Sequence, residues 1–280
     1  MNLLPAGETQ EVSAVLVRRC GLTEEDVNRI GGAQQQLKVH FIEAALRLGY
    51  VTQADIDAAL ATLTADSASA RAEPKAELVL AHNSFDPHSE RIRALRTELL
   101  LRRDETAESN VVAILSPCAR EGRSRLAAEL AISFSQLGQP TLLVDADLRH
   151  SRQHELFAAD NDRGLVQALV SNDPPHVQSV SGLPNLHLLT AGPRPANPQE
   201  LLSDGHFGEL LGGWMRRYQH VVLDTAPVSD FADGLAVATV AGRVLALSRA
   251  KLTPFRATQQ MLRRLSTTHA RILGAVVNHF

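Results

Sequence analysis

Six short aliphatic runs, which alternate with helical stretches after residue 110, constrain the fold of this chain more than any other feature. The runs cover residues 111–115, 141–144, 186–189, 220–223, 244–247 and 272–277. Continuous aliphatic strands of this length, separated by helices, are typical of a parallel sheet with helices on both faces. In such sheets, ligands bind beyond the carboxyl ends of the strands, so the residues after each run are candidates for chemistry.

The first part of the chain follows a helical pattern that repeats. Thr23 is the expected N-cap of a helix, and Asp26 stands at the reciprocal capping position. The same pair returns 29 residues later as Thr52 and Asp55, and Gly49 ends the helix between them. We interpret this segment as a small helical module that docks onto another protein, with binding of a cyclic dinucleotide as the alternative.

The composition shifts between this module and the aliphatic runs. From residue 65 the chain is rich in Ala, Ser, Asp and Pro without periodicity, which is typical of a linker. A helix is predicted over residues 89–103, with Asp86 and Pro87 just before it. The sequence therefore predicts a helical interaction module at residues 1–64, a linker at 65–84 and an α/β domain at 85–280.

Composition and charge exclude several classes of protein. Hydrophobic residues make up 44% of the 280 residues, too many for a chain that is disordered throughout. The net charge of −3 predicts no basic footprint for nucleic acid or for an anionic membrane surface. No apolar run reaches the length of a membrane-spanning helix. We therefore expect a soluble cytoplasmic protein without a direct membrane span, which reaches the inner membrane through a partner.

The residues that follow three of the runs predict a phosphate site. After the first run, residues 116–125 lead into a helix predicted from Leu126, where backbone N–H groups and a helix N-terminus cradle a polyphosphate. Asp145 and Asp147 end the second run, and Asp224 ends the fourth. Acidic residues at neighbouring strand ends hold Mg²⁺ beside a bound nucleotide.

With these blocks the chain resembles the bacterial tyrosine autokinases of exopolysaccharide synthesis, a branch of the P-loop ATPases related to the MinD/ParA group. The resemblance runs from about Asp86 to the C-terminus. It is carried by SPCAREGRS, LLVDADLR, LTAGPRPANPQELL, VVLDTAPVSD and ILGAVVN. It implies a P-loop NTPase fold with a mostly parallel sheet. The N-terminal module resembles the helical domain of EpsG-type members, which is also found ahead of type II secretion ATPases.

The resemblance also implies roles for particular residues. The implied catalytic residues are Asp145, Asp147 and Arg123. ATP or ADP would be bound by Glu121, Gly122, Arg123, Ser124, Arg125 and Asn278. Mg²⁺ would be held by Ser124, Asp147 and Asp224. The spacing E-x-x-R-x-x-R at Glu90, Arg93 and Arg96 implies assembly of subunits into a ring, whereas the same residues on an ordinary helix would form a solvated charged face.

The chain departs from the family pattern in its phosphate loop. Family loops read close to P-G-x-G-K-S-T, whereas the chain places Arg120 at the first glycine, Arg123 at the lysine and Arg125 at the threonine. A planar guanidinium does not replace a flexible ammonium group conservatively, and a non-glycine residue at positive φ costs roughly 1–2 kcal/mol. The only tyrosines are Tyr50 and Tyr218, so no substrate cluster follows the last run.

Together these features predict a regulator of exopolysaccharide biosynthesis and export that partners a membrane chain-length determinant of the Wzz type. We expect impaired or absent tyrosine autophosphorylation, binding of ATP or ADP with Mg²⁺ that is weak or lost, self-association, and no nucleic-acid partner. A loop that positions strands without binding nucleotide is the alternative to residual binding. Two other functions stay open: an active tyrosine kinase that acts in trans, and a positioning ATPase of the MinD/ParA type.

Overall fold

The computed structural model describes residues 17, 20, 22–37, 39, 41–52, 54–55, 72–102, 110–171 and 174–279. The chain divides into two compact units, Met1–Ser69 and Ala70–Phe280. Within the described residues, none of the helices combines the length and the apolar character needed to cross a bilayer.

The described part of the first unit contains the repeated cap. Helices α1 (Glu24–Leu37) and α2 (Phe41–Arg47) belong to it. The Thr23 hydroxyl accepts a hydrogen bond from Asp26 N–H at 3.3 Å, and the Asp26 carboxylate accepts one from Thr23 N–H at 2.9 Å. Thr52 and Asp55 form the same pair at 3.2 and 2.9 Å, which confirms the predicted repeat. A small core lies between the helices and consists of Ile30, Ala44, Ala45 and Val51.

The predicted linker is wrong at its C-terminal end. Ala72 donates to Ser179 O at 3.1 Å and accepts from Ser181 N–H at 2.8 Å, and a short helix α3 (Val79–His82) follows. Leu78 and Leu80 are fully buried in the core of the second unit. The α/β unit therefore begins well before residue 85. A single apolar triplet is too short to show a helical period, so the pattern of residues does not indicate a helix here. Residues 65–71 of the predicted linker lie outside the described residues.

The second unit alternates strands and helices along the described chain. After α3 come α4 (Pro87–Leu101), β1 (Asn110–Leu115), α5 (Arg123–Ser135), β2 (Thr141–Asp145), α6 (Gln153–Leu156), α7 (Leu165–Val170), β3 (Gln178–Val180), β4 (Leu183–Leu189), α8 (Pro198–Ser203), α9 (Gly205–Arg217), β5 (His220–Asp224), α10 (Asp233–Ala241), β6 (Arg243–Arg249), α11 (Phe255–Leu265) and β7 (Arg271–Asn278). All six predicted strands are confirmed, several with longer ends. Helix α4 confirms the predicted helix two residues earlier, and the Asp86 carboxylate caps it by accepting from His88 N–H at 2.7 Å.

The seven strands form one sheet in the order β3-β4-β2-β5-β1-β6-β7. All neighbouring pairs are parallel except β3 and β4, which form an antiparallel hairpin. The prediction of a mostly parallel sheet is therefore confirmed. Strand β3 was missed because its three residues show no aliphatic run.

Both faces of the sheet are buried, as the continuous aliphatic strands predicted. Alternate residues of a strand point to opposite faces, so Val111, Ala113 and Leu115 of β1 join a core that includes Phe207 and Trp214 of α9. Val112 and Ile114 of β1 join the second core, which includes residues of α4 and α5. The helices on the two faces therefore fix the sheet, and the ends of its central strands become a rigid platform.

Candidate functional site

The three strands that carry the predicted site are neighbours in the sheet. Asp145 at the end of β2 lies in register with Asp224 at the end of β5, and Asp224 also pairs with Ile114 of β1. The loop after β1 and the acidic residues after β2 and β5 therefore meet at one edge of the sheet. The structure brings together the residues that the sequence placed at separate strand ends.

A hollow of about 580 Å³ opens at this edge. Its lining consists of residues 119–125 with Glu77, Asp147, His150, Arg152, Leu156, Pro227 and Asp230. Helix α5 begins at Arg123, three residues earlier than predicted, so its N-terminus faces the loop. The first N–H groups of a helix have no intrahelical acceptor, and the helix dipole favours an anion there. The hollow therefore has the size and the backbone charge to hold a polyanion.

The loop takes the backbone shape that its glycine frame predicted. Arg120 has a φ of 62° and Gly122 a φ of 98°, both in the left-handed region. The predicted strain at Arg120 is thus present in the fold. Arg249 stabilises this turn, because its guanidinium donates to Arg120 O at 3.2 Å.

Arg123 lies beneath the loop and is buried. Its guanidinium donates to Thr225 O at 2.8 Å, to Cys118 O at 2.7 Å and to the Ser116 hydroxyl. Nε and Nη1 of Arg123 are therefore bound to acceptors of the loop and of the segment after β5. To turn these two nitrogens toward a phosphate, Arg123 would have to break the hydrogen bonds.

Glu121 and Asn278 hold the loop from behind. The buried Glu121 carboxylate accepts from Cys118 N–H at 2.9 Å and from the Thr253 hydroxyl. Asn278, at the end of β7, donates from its side-chain amide to Glu121 O at 3.0 Å. Glu121 lies in the lining of the hollow and Asn278 does not, and the side chains of both are hydrogen-bonded within the protein. Their contribution to nucleotide binding stays a prediction.

Arg125 and Glu129 form a pair one turn apart on α5, with Arg125 Nε 3.5 Å from Glu129 Oε1. Glu129 is buried and also accepts from Val79 N–H at 3.2 Å and from His88. This carboxylate therefore connects the helix behind the loop to α3 and to the start of α4. The sequence analysis missed it, because a glutamate within a helix gives no signal for burial.

The Asp145 carboxylate is fully buried and hydrogen-bonded within the fold, and its catalytic role stays a prediction. Its two oxygens accept from the backbone N–H groups of Asp147, Arg152 and Gln153 at 3.2, 3.0 and 2.9 Å. Burial raises the pKa of Asp145 well above its ordinary value, and the nearby Asp224 carboxyl raises it further. Asp147 instead lines the hollow, while its Oδ1 accepts from His150 N–H at 2.9 Å. Of the two, Asp147 is therefore the one placed to meet a ligand.

Asp224 lies deeper and has an unsatisfied oxygen. Its Oδ2 accepts from the Gln153 amide at 2.8 Å, and the Ser124 hydroxyl also binds the carboxyl. Oδ1 of Asp224 and Oε1 of Gln153 are both buried and accept no hydrogen bond within the described part of the chain. The pKa of Asp224 is raised to about 6. Burial raises it most, whereas the Arg123 cation and the hydrogen bonds from Ser124 and Gln153 lower it.

This arrangement fits Mg²⁺. Buried oxygen acceptors without donors are the ligands that a hard cation takes, and Ser124, Asp147 and Asp224 supply hydroxyl and carboxylate oxygens. No group of three or more His, Cys, Asp or Glu side chains among the described residues could hold a metal by itself. A cation here would therefore complete its shell with phosphate oxygens and water, as Mg²⁺ does beside nucleotides.

Gln153 is a functional candidate that sequence reasoning missed. Its amide donates to Ser124 O at 2.9 Å and to Asp224 Oδ2 at 2.8 Å, while its own N–H binds Asp145. The buried side chain of Gln153 thus joins the helix after the loop to the end of β5, and its backbone N–H adds the end of β2. A glutamine in a short helix gives no local signal for this role.

The two arginines of the motif at residues 90–96 are hydrogen-bonded to residues of the same chain. Arg93 donates to Glu90 and to Ser84 O at 2.6 Å. Arg96 donates to Ser133 O of α5 at 2.7 Å, and its burial lowers its pKa. Of the three predicted oligomerisation residues, Glu90 is the one whose side chain is mostly exposed. The ring role stays a prediction, and it rests on Glu90 more than on the two arginines.

The LTAGPRPANPQELL block has a structural role at its start. Thr190 O and Ala191 O accept from the N–H groups of Leu165 and Val166 at 2.8 and 2.9 Å. A Cβ on Gly164 would lie 2.3 Å from Gly192 N, so the backbones approach too closely for a side chain there. Among the described residues that line the hollow, none comes from this block.

The sheet order, the loop between β1 and α5, and the acidic strand ends define a P-loop NTPase-like fold. Cobyrinic acid a,c-diamide synthase from Mycobacterium smegmatis, solved with bound ADP and magnesium, shares it with a TM-score of 0.53 at 20% identity over 60% of this chain. That identity establishes the fold alone.

The sequence relatives define the family. The chain is 35% identical over 193 residues to tyrosine-protein kinase YwqD of Bacillus subtilis. The aligned region covers 68% of this chain and 81% of YwqD. It is 32% identical over 197 residues to tyrosine-protein kinase Etk of Escherichia coli, which covers 70% of this chain. The chain therefore belongs to the bacterial tyrosine-protein kinase family. No family model matches the chain.

Solved structures agree with this assignment. The kinase domain of Escherichia coli Etk superposes with a TM-score of 0.69 at 30% identity, over 72% of this chain and 79% of that domain. The chimerical protein CapA2B2 superposes with a TM-score of 0.68 at 27% identity, over 74% of this chain and 92% of the chimera. The chain spans about four fifths of YwqD but only 27% of Etk and of the Acinetobacter johnsonii kinase ptk.

Proposed function

We propose that this protein is a nucleotide-binding regulator of exopolysaccharide biosynthesis and export with impaired tyrosine phosphorylation. It would work with a membrane chain-length determinant of the Wzz type, as the resemblance implies. In this role ATP or ADP with Mg²⁺ occupies the hollow and stabilises one arrangement of the loop. The relatives are named as tyrosine-protein kinases, and the departure proposed here concerns turnover.

One observation carries the proposal: the guanidinium of Arg123 is hydrogen-bonded beneath the loop. Phosphoryl transfer is driven by positioning and by charges aimed at the transferred group. A buried cation bound to Thr225 O, Cys118 O and Ser116 is not placed to follow that charge. The backbone N–H groups at the start of α5 and the carboxylates of Asp147 and Asp224 do not depend on the Arg123 side chain. The protein can therefore bind nucleotide even where catalysis is lost.

In this arrangement the protein's own residues divide the work. The loop and the N-terminus of α5 orient the phosphates, and Asp147 and Asp224 with Ser124 would hold Mg²⁺. The bound metal would neutralise phosphate charge. Arg120 and Arg152 line the same hollow and add positive charge around the polyphosphate. Misplacement of reacting groups by about 1 Å costs on the order of 100-fold in rate, so binding without efficient turnover is the expected result.

Two measurements on the purified full chain test the proposal. Calorimetric titration with ADP and Mg²⁺ should give one site per chain. Incubation with labelled ATP and Mg²⁺ should leave Tyr50, the buried Tyr218 and an added tyrosine peptide unlabelled. Absence of any binding heat would contradict the nucleotide-binding part, and robust tyrosine labelling would contradict the impaired turnover.

The presence of Asp147 and Asp224 at the site favours a second candidate function, an active kinase that phosphorylates partners in trans. The double reversal Arg120→Gly with Arg123→Lys separates the two functions. If the arginines have removed catalysis, the reversal should raise the rate of peptide phosphorylation by at least tenfold. If the chain is already an active kinase adapted to Arg123, the reversal should change that rate little.

A further inference from the structure

The charges of this chain are distributed unevenly, although its net charge is only −3. Residues 234–280 contain seven Lys and Arg residues and no Asp or Glu, so the remaining residues are strongly acidic. This segment forms most of α10 and all of β6, α11 and β7. The whole-chain balance, which predicted no footprint for an anionic membrane, conceals a basic region.

The outer face of α11 presents part of this charge. Arg256, Gln259 and Arg263 are exposed on it, and the two arginines lie two turns apart, about 10 Å along the helix axis. The opposite face of α11 is apolar, and its Met261 and Leu265 are buried in the core. The helix is therefore fixed to the core by its apolar face, and its basic face meets solvent.

Within the described chain, the charged side chains on this face have no hydrogen-bond or ion-pair partner. They belong to Lys251, Arg256 and Arg263. By contrast, Arg249 at the end of β6 and Arg264 on α11 donate to the carbonyls of Arg120 and Val228. The three unpaired cations thus form a surface, which we call the basic face, whose counterions must come from outside the described chain.

Two apolar side chains stand at one end of the basic face. Leu252 is 52% exposed and Phe255 is 79% exposed, and they are flanked by Lys251 and Arg256. The turn that presents them is well defined, because Arg249 N–H donates to the Thr253 hydroxyl at 2.7 Å and Thr253 N–H donates to Arg249 O at 2.9 Å. This apolar tip is therefore held outward rather than folded onto the core.

We propose that the basic face and the apolar tip bind an anionic lipid surface. Unpaired cations attract the phosphates of acidic lipids, and exposed Leu and Phe side chains insert between headgroups. The apolar tip favours lipid over nucleic acid, since a duplex backbone offers no apolar phase to Leu252 and Phe255. Because the apolar face of α11 is committed to the core, the contact is shallow and mainly electrostatic. The inference is independent of nucleotide binding and of a membrane partner.

Vesicle flotation with the full chain tests this proposal. The protein should float with vesicles of phosphatidylcholine containing half phosphatidylglycerol, and it should not float with phosphatidylcholine alone. Raising the salt to about 0.5 M should release it, because screening shortens the reach of surface charges. The triple variant Lys251→Glu, Arg256→Glu, Arg263→Glu should lower the affinity by at least about a hundredfold, since each basic residue near such a surface contributes roughly fivefold. Phe255→Ser should weaken binding without changing its salt dependence.

A matched control changes the net charge equally elsewhere. Arg163→Glu, Arg194→Glu, Arg216→Glu replaces three exposed arginines outside α11 and should keep the binding within a few fold. Circular dichroism checks that both triple variants are folded. Equal flotation with neutral vesicles, or unchanged binding by the α11 variant, would refute the proposal. So would retention of a labelled DNA duplex or self-association that disappears in the α11 variant without vesicle binding, because the basic face would then serve another partner.

Discussion

Asp224 is a fully buried carboxyl group, and its protonation is coupled to the stability of the fold. Burial raises its pKa from 3.8 to about 6. Between about pH 4 and pH 6 the folded chain therefore holds a proton at Asp224 that the unfolded chain has released. The free energy of unfolding consequently falls as the pH rises through this window, and the cost of the buried charge is close to fully present from about pH 7.

The variant Asp224→Asn removes this titration, together with the part of the Asp145 pKa shift that the Asp224 carboxyl causes. At about 1.4 kcal/mol per pKa unit, the stability of the native chain relative to the variant should fall by about 2–3 kcal/mol between pH 4 and pH 7. Urea unfolding of both proteins at several pH values measures the difference. Loss of a hydrogen bond in the variant adds a constant offset, so only the slope matters. A difference that does not change with pH would show that Asp224 titrates near its ordinary value.

The neighbouring residues show what a sequence predicts about a site at this scale. The positive φ of Arg120 was predictable, because the glycine frame of the loop fixes where the backbone must turn. The orientation of the Arg123 side chain was not predictable, because its acceptors Ser116 and Thr225 follow the ends of different strands. The distance between them along the chain does not indicate that they meet. Residue identity thus predicted the location of charge, whereas tertiary contacts decided its direction.

At the scale of elements, Gln153 links α6 to the loop helix and to two strands. In Gln153→Leu, Ser124 O and Asp224 Oδ2 lose their donor, and unsatisfied buried groups cost about 1–3 kcal/mol each. We expect lower stability and, in titrations with ADP, a greater loss of affinity in the presence of Mg²⁺ than in its absence. Gln153→Glu places a second carboxylate beside Asp224, so it should lower the stability more than the leucine variant does. Equal losses with and without Mg²⁺ would mean that Gln153 only supports the fold.

The elements themselves were largely predictable, and the exceptions have physical causes. Six strands were found because buried parallel strands are continuous aliphatic runs, whereas β3 is a three-residue edge strand without one. Segment 72–84 was assigned to a linker because its contacts are with β3 and the residue after it and with Glu129, which are all distant in sequence. The start of the LTAGPRPANPQELL block anchors α7, a role that depends on the close backbone approach of Gly164 and Gly192.

For the whole molecule, average properties concealed the arrangement that matters. A net charge of −3 gave no reason to expect a cationic surface, yet every cation after residue 233 lies in a stretch without one acidic residue. The site differs in this respect, because no single segment of the sequence contains it: residues from loops after three separate strands converge on one hollow. This convergence depends on the order of the strands in the sheet, which single-sequence patterns do not encode.

That convergence gives a test on the stability of the entire second unit, because every residue that lines the hollow belongs to Ala70–Phe280. A ligand that binds only the folded state raises the free energy of unfolding, by about 2.7 kcal/mol at a concentration of 100 Kd. For a unit of this size, that corresponds to a rise of roughly 5–10 °C in Tm. ADP with Mg²⁺ should therefore raise the Tm in a concentration-dependent way, and EDTA should remove most of the gain by taking the metal from Asp147 and Asp224. A Tm that stays constant at millimolar ADP and Mg²⁺ would mean that the hollow has lost its ligand altogether.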